Sequence, residues 1–200
     1  MDSIKVGSLL LRLRKEKGMT QKQVGDFINV SDKTISKWER GLGCPDISLL
    51  RNLSDLYEVD IDKLLQGELE PNLRDSGNLK RIKFYVCPLC SNVITNSGNG
   101  KVSCCGRKLL PLKGTKADKM HPVQVEELDD EYFITFQHEM SKTHYISFVA
   151  HVTGDRMLLL KLYPEQSGNV RISKSIAPGI LKRSNGRLYF YCNQHGLFEY

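Results

Sequence analysis

Apolar positions in the first third of the chain recur at helical spacing; beyond residue 80 they alternate as in strands. Leu9, Leu10 and Leu13 share a segment with Arg12, Arg14, Lys15 and Lys17, which predicts an amphipathic helix over residues 3–17, stopped by Gly18. Thr20 is placed to cap a second helix over 21–28, with Val24, Phe27 and Ile28 inward. Ser31 then caps a third over 32–40, with Ile35 and Trp38 on its buried face. A loop at 41–45 leads to a fourth helix over 46–57 that buries Leu49, Leu50, Leu53 and Leu56, and a turn at 61–65 closes the bundle. Residues 67–80 lack periodicity and contain Pro71 and Gly77, as a linker does.

After the linker, residues 81–86 alternate, a Cys87-Pro88-Leu89-Cys90 knuckle follows, and Val93-Ile94 and Val102 flank a Ser97-Gly98-Asn99-Gly100 turn. Strand-like runs then recur at 123–125, 132–136, 145–149, 157–163 and 187–191. Turn residues separate them at Asp129-Asp130, Gly154-Asp155, Ser167-Gly168-Asn169 and Ser184-Asn185-Gly186. About seven short strands argue for a small antiparallel sandwich of immunoglobulin-like type. The predicted architecture is α then β: a five-helix bundle at 1–66, a linker at 67–80, a short rubredoxin-like metal knuckle at 81–113 and a β-sandwich at 114–200.

Composition adds bounds. With 40% hydrophobic and 26% charged residues the chain has an ordinary globular balance. No apolar run approaches the ~20 residues that cross a bilayer. Residues 1–5 lack a signal-peptide layout, so a cytoplasmic protein without a membrane partner is expected. The net charge of +6 is spread out: residues 1–66 carry 11 basic and 10 acidic side chains, residues 87–200 carry 14 and 10. Charge alone therefore does not mark a nucleic-acid binder, and that reading must rest on pattern.

The cysteines bring in chemistry. Cys87, Cys90, Cys104 and Cys105 stand at C-x2-C-x13-C-C spacing, and in a reducing compartment such a cluster points to metal ligands rather than disulfides. Two thiolates across a knuckle and two from a later strand can complete a tetrahedral sulfur site, which iron and zinc both accept. Cys44 has no local metal partner and reads as structural. Near the C-terminus Cys192 and His195 are three residues apart and followed by Gly196, so a thiol and an imidazole can meet one ion across a tight turn. Among the remaining histidines, His121, His138 and His144 lie near strand ends, whereas His151 reads as a surface residue.

Two short capped helices joined by a tight turn make a helix-turn-helix. Thr20-Gln21-x-x-Val24-Gly25, followed by Val30-Ser31-x-x-Thr34-Ile35-Ser36-Lys37-Trp38-Glu39-Arg40-Gly41, resembles the phage-repressor (Cro-like, XRE-type) helix-turn-helix family over about residues 5–65. The resemblance implies that residues 32–40 are the recognition helix in the major groove of double-stranded DNA. It places Gln21, Ser31, Asp32, Lys33, Thr34, Ser36, Lys37 and Arg40 at the DNA interface. Lys33 and Lys37 suit guanine edges or phosphates, and Thr34 a thymine methyl or a phosphate. Gln21 opens the second helix, where the family uses glutamine to hold a phosphate.

Residues 81–200 resemble desulfoferrodoxin, the two-iron form of superoxide reductase. The resemblance runs through Tyr85-x-Cys87-x-x-Cys90, Cys104-Cys105-Gly106, Lys119-Met120-His121-Pro122-Val123, His138-x-Met140-x-Lys142-x-His144-Tyr145-Ile146 and Tyr191-Cys192-Asn193-x-His195-Gly196-Leu197. It implies iron or zinc on Cys87, Cys90, Cys104 and Cys105. It also implies a non-haem iron on His121, His138, His144 and His195, with Cys192 as axial thiolate and the opposite position open to superoxide. The sequence departs from the family at two places. Met120 stands where the mobile loop usually carries a lysine that attracts the superoxide anion, with Lys119 as a partial substitute one residue away. Phe198 stands where a tryptophan is usual.

A DNA reader joined to a redox metal domain leads to the expectation of a homodimeric transcriptional regulator. Its binding to a two-fold-related operator would answer to superoxide or another small redox ligand. Two alternatives remain open: an active superoxide reductase carrying a DNA-binding module, and a metal-stabilised dimerisation scaffold.

Overall fold

The computed structural model describes residues 2–74, 77–181 and 186–200. Asp75 and Ser76 of the expected linker, and Ser184 and Asn185 of the expected last turn, lie outside the described residues. The chain divides into two compact units, Met1–Pro71 and Asn72–Tyr200.

The first unit holds five helices: α1 (Ser3–Glu16), α2 (Gln21–Ile28), α3 (Asp32–Glu39), α4 (Ile47–Tyr57) and α5 (Ile61–Gln66). The starts of α1 to α4 are fixed by side chains that satisfy otherwise unpaired amides. Asp2 accepts from the backbone N–H of Ile4 and Lys5 at the head of α1. Thr20 and Gln23 form a reciprocal capping box on α2, and Ser31 accepts from Thr34 N–H on α3. The core gathers Val6, Leu9, Leu10 and Leu13 with Val24, Ile28, Ile35, Trp38, Leu53, Tyr57 and Leu64. The turn between α2 and α3 is closed so tightly that a Cβ on Gly25 would meet the Val30 carbonyl oxygen at 2.5 Å.

Phe27 corrects the expected inward face of α2, because it is 53% exposed. Val24, Gly25 and Ile28 are the buried positions, so the face is centred between them and Phe27 falls about 60° beyond its edge at Val24. On α4, Leu50, Leu53 and Tyr57 are the buried positions, and Leu49 and Leu56 are only partly buried.

The second unit opens with a short 3-10 turn, Leu79–Arg81, and two hairpins. Strands β1 (Lys83–Val86) and β2 (Val93–Asn96) pair in one, β3 (Val102–Cys104) and β4 (Arg107–Leu109) in the other. Then come β5 (Thr115–Lys116), β6 (Val123–Leu128), β7 (Glu131–Phe136), β8 (Ile146–Val152), β9 (Met157–Lys161), β10 (Asn169–Ser173), β11 (Arg187–Cys192) and β12 (Gly196–Glu199). They form a three-stranded sheet, β10-β7-β6, and a five-stranded sheet, β5-β12-β11-β8-β9. The sandwich thus has eight strands among the described residues rather than seven, and β5 joins β12 in parallel. Beyond the expected runs it gains the two-residue β5, the alternating Asn169–Ser173 and the closing Gly196–Glu199.

One core lies between the sheets, built from Tyr132, Ile134, Phe136, Val170 and Ile172 on one side and Val149, Leu188, Phe190 and Phe198 on the other. A second core covers the outer face of the larger sheet. There Phe84 of β1 packs on Phe148 and Tyr189, with ring centroids 5.6 and 5.3 Å apart. Burying one such phenylalanine contributes roughly 1.5–3 kcal/mol, so the first hairpin is anchored to the sheet through a few aromatic rings.

With both faces covered, all seven residues of β8 are buried. This overturns the surface reading of His151, which is 1% exposed. Its strand partners are Leu188 and Leu158, both on the inter-sheet core.

Candidate metal centres and DNA-facing helix

The sandwich places five potential ligands at one end. His138 follows β7, and His121 precedes β6, whose first residue Val123 pairs with Phe136 at the end of β7. Cys192 ends β11, His144 precedes β8, and Cys192 pairs with Ile146 at the start of β8. His195 sits in the turn from β11 to β12.

A register shift between Tyr191 and Cys192 skips Ser147 on β8, and such a bulge re-aims the side chains beside it. Phe148 faces the outer core, whereas Ile146 and Cys192 face the inter-sheet core. The thiol is thereby fully buried.

The four imidazoles form a closed ring. Centroids are 5.0 Å apart for His121–His138, 4.4 Å for His138–His144, 4.9 Å for His144–His195 and 4.8 Å for His195–His121. One ligand atom from each of His121, His138, His144, Cys192 and His195 lies within 4.8 Å of every other. His121 Nε2 is 3.0 Å from His195 Nδ1, which is 3.5 Å from Cys192 Sγ. Two nitrogens at right angles on one ion, each ~2.1 Å from it, would be about 3.0 Å apart.

The opposite ring nitrogens are committed elsewhere. His121 Nδ1 donates to Asp118 Oδ1 at 2.8 Å, His138 Nδ1 to the Glu139 carbonyl, and His144 Nδ1 to Glu139 Oε2 at 3.1 Å. Carbonyl and carboxylate oxygens only accept, so each Nδ1 carries the proton and each Nε2 keeps its lone pair. His138 Nε2 and His144 Nε2 are buried without any protein partner. Buried, unpartnered, deprotonated nitrogens converging beside a thiol fit a metal ion.

Burial holds His138 below the usual histidine range. The His121 ring holds the Asp118 carboxyl below the usual carboxylate range, and Ser141 and His144 do the same for Glu139. Asp118 and Glu139 were not singled out from the sequence. The signal was present, since each is an acidic residue one to five positions from a ligand histidine, within reach of its second nitrogen.

The four-cysteine cluster is also assembled. The ligand atoms of Cys87, Cys90, Cys104 and Cys105 lie within 4.8 Å of one another. Cys90 Sγ is 3.6 Å from Cys104 Sγ, which is 3.9 Å from Cys105 Sγ. A disulfide would need about 2.05 Å, while a tetrahedron with metal–sulfur bonds of ~2.3 Å has edges of about 3.8 Å. The knuckle amides of Cys90 and Leu89 lower the Cys87 thiol to about 6. Cys105 is pushed up to about 12 by hydrogen bonds with Cys90, Cys87 and Cys104, a crowding of thiols that a cation relieves. Cys105 and Gly106 are both left-handed, with φ of 49° and 73°, which turns the chain sharply after Cys104.

On α3 and its approach, Ser31, Asp32, Lys33, Lys37 and Arg40 are exposed, while Thr34, Ser36 and Gln21 are half-buried. Gln21 Nε2 donates to Glu39 Oε2 at 2.8 Å. Glu39 is buried and receives Arg14 in a two-pronged pair, Nε to Oε1 at 2.6 Å and Nη2 to Oε2 at 2.9 Å. Burial pushes the Glu39 carboxyl up, but hydrogen bonds from Arg14 and Gln21 outweigh it, and the net shift is downward. This bridge from α1 through α3 to the first residue of α2 was not read from the sequence. Glu39 lies one helical turn after the core residue Ile35, and a carboxylate in that position needs a buried partner.

Comparison with known proteins follows the same division. Residues 10–64 match the HTH_3 helix-turn-helix family. The HTH-type transcriptional activator BcrR of Enterococcus faecalis is 40% identical over 80 residues, covering 38% of this chain and 39% of that protein. The chain thus spans about two fifths of that activator's length. A desulfoferrodoxin of Clostridium acetobutylicum is 24% identical over 114 residues, covering 54% of this chain and 85% of that protein. The superoxide reductase of Treponema pallidum superposes with a TM-score of 0.48 at 20% identity, covering 60% of this chain and 97% of that one. The chain therefore joins an N-terminal helix-turn-helix domain of the HTH_3 type to a β-rich, desulfoferrodoxin-like domain.

Proposed function

We propose that this protein is a DNA-binding transcriptional regulator whose operator binding is controlled by a non-haem iron held by His121, His138, His144, His195 and Cys192. The observation that carries the reading is the convergence of those five ligand atoms in a chain that also holds a helix-turn-helix domain. Iron bound there supplies one-electron chemistry, with Cys192 as a strongly donating thiolate. The residues around it orient the rings and, by accepting from Nδ1–H, keep Nε2 of His121, His138 and His144 free of a proton. Phe198 stacks on the His121 ring at 4.1 Å between centroids and closes the apolar side. Met120, 64% exposed, brings no charge to the loop before His121, which favours detection of a small redox ligand such as superoxide over its fast turnover. The four-cysteine site, filled by iron or zinc, locks the hairpins β1–β4, whose own core is small.

On the DNA side, α3 enters the major groove with Lys33 and Lys37 outward, and Gln21, Ser31, Asp32, Thr34, Ser36 and Arg40 complete the interface. A homodimer on a two-fold-related operator, with half-sites roughly 34 Å apart, is the assembly this domain type implies. The test is operator affinity, by fluorescence anisotropy on a duplex selected from a random pool, for ferrous, ferric and iron-free protein. At least a tenfold difference between two of the three states is expected, about 1.4 kcal/mol. Equal affinity in all three would remove the sensing role.

One observation favours a second reading, an active superoxide reductase. Lys119 is exposed one residue from Met120 and could attract an anion in its place. Pulsed superoxide on the ferrous protein separates the two: a second-order rate near the diffusional ceiling of ~10⁸–10⁹ M⁻¹s⁻¹ marks the enzyme.

A further inference from the structure

The loop from β7 to β8 carries two of the five ligand histidines, and one residue between them touches both. Glu139 accepts from His138 Nδ1 through its backbone carbonyl and from His144 Nδ1 through Oε2, at 3.1 Å in the second case. The loop is folded to make this so. Ser141 Oγ accepts from His144 N–H at 3.1 Å, and Ser141 N–H donates to the His144 carbonyl at 2.9 Å, which brings His144 back over Glu139. Met140 is tied down on either side, its carbonyl accepting from Glu165 N–H and its sulfur from Ile146 N–H at 3.4 Å. The Glu139 side chain is 60% exposed, so its direction follows from these polar contacts and not from packing.

We propose that Glu139 is a positioning residue for the metal centre. Its carbonyl and carboxylate fix the tautomer and ring orientation of His138 and His144, and its charge raises the donor strength of His144 toward the ion. The proposal rests on the reading of the five-residue cluster as an iron site and assigns that site a residue outside the ligand set. Because an acceptor on Nδ1 obliges Nε2 to keep its lone pair, one glutamate prepares two ligands at once. A charged acceptor also makes the imidazole a stronger donor than a neutral one does. His121 has the same kind of partner in Asp118, whereas His138 has only a neutral carbonyl, so His144 is the ring on which the Glu139 charge acts.

The test uses the full chain loaded with ferrous iron under anaerobic conditions, as wild type, Glu139→Ala and Glu139→Gln. Iron affinity is read by chelator competition, the ferric/ferrous potential by spectroelectrochemistry, and the thiolate-to-ferric absorption band by its wavelength. Glu139→Ala should bind iron 10- to 100-fold more weakly. Glu139→Gln keeps an acceptor oxygen without the charge, so it should recover most of the affinity while its potential shifts positive of wild type. Far-ultraviolet circular dichroism and metal content at the four-cysteine site should be those of wild type in both variants.

Wild-type affinity and potential in Glu139→Ala would overturn the proposal. So would a Glu139→Gln protein as weak in iron binding as Glu139→Ala, since the acceptor oxygen would then not be what orients His144. If the wild-type chain itself shows no thiolate-to-ferric band, the iron-site reading fails first, and this proposal falls with it.

Discussion

Glu39 shows how one residue can join three helices. Its carboxylate is buried beside Trp38, paired to Arg14 and bonded to Gln21. It therefore holds α1 to α3 and directs a side chain at the start of α2. Removing one partner of a buried pair leaves the other charge unpaired, which costs about 3 kcal/mol or more. Glu39→Ala should lower stability by about that much in urea unfolding, while Arg51→Ala, whose pair with Asp55 is exposed, should change it little. The pH dependence has a defined sign. The folded Glu39 carboxyl lies below its ordinary value, so its stabilisation is complete above the unfolded value of about 4.3 and is lost as pH falls through the folded value. Acid unfolding curves of wild type and Glu39→Ala should converge at low pH.

At the level of elements, β8 explains both a success and a miss. Its alternation predicted a strand, but alternation alone suggests one wet face. The hairpin carrying Phe84 covers that face, burying Phe148, Ala150 and Val152, while His151 points the other way, toward the inter-sheet core, with Nε2 unpartnered. Gly186 makes room for it, since a Cβ there would stand 2.3 Å from His151 Nε2. Gly186→Ala should therefore cost about 1–3 kcal/mol through overpacking, and His151→Ala in the same chain should recover much of it. A double-mutant cycle in thermal unfolding measures that coupling. Burial also lowers the His151 pKa, so its neutral form fits the fold at no cost above the unfolded value of about 6.5. As pH drops from there toward the folded value, the unfolded state takes up the proton first and stability falls. His151→Leu should flatten this part of the pH profile relative to wild type. In α2 the same kind of limit applied: eight residues give a face too short to average, and buried Gly25 shifted its centre away from Phe27.

For the whole molecule, the proposed pairing of DNA binding by the helix-turn-helix domain with a metal centre makes salt the useful variable. Each lysine on a phosphate releases counterions when DNA binds, and removing one should reduce the slope of log affinity against log salt by about 1. Lys37→Ala in the full chain should show that reduction, with nearly the same weakening on operator and on random duplex if it contacts phosphate. A loss confined to the operator, about 1–3 kcal/mol, would instead place Lys37 on a base edge.

The helical bundle was legible because its signals are local: caps, a 3.6-residue period and turn residues act within a few positions. The cysteine spacing was legible for a similar reason, since C-x2-C and C-C constrain ligands within single turns. The five-residue cluster spans positions 121 to 195, and spacing alone left its histidines unconnected; a family resemblance linked them. By itself, then, the sequence determined the helices, most of the longer strands, their order and the candidate ligand types. Only the tertiary structure decided which ring nitrogens are free, because that depends on Asp118 and Glu139 meeting imidazoles across turns. It also decided that His151 is interior and that Glu39 has a partner 25 residues away. Both outcomes follow from burial, which a residue acquires from the elements packed against it.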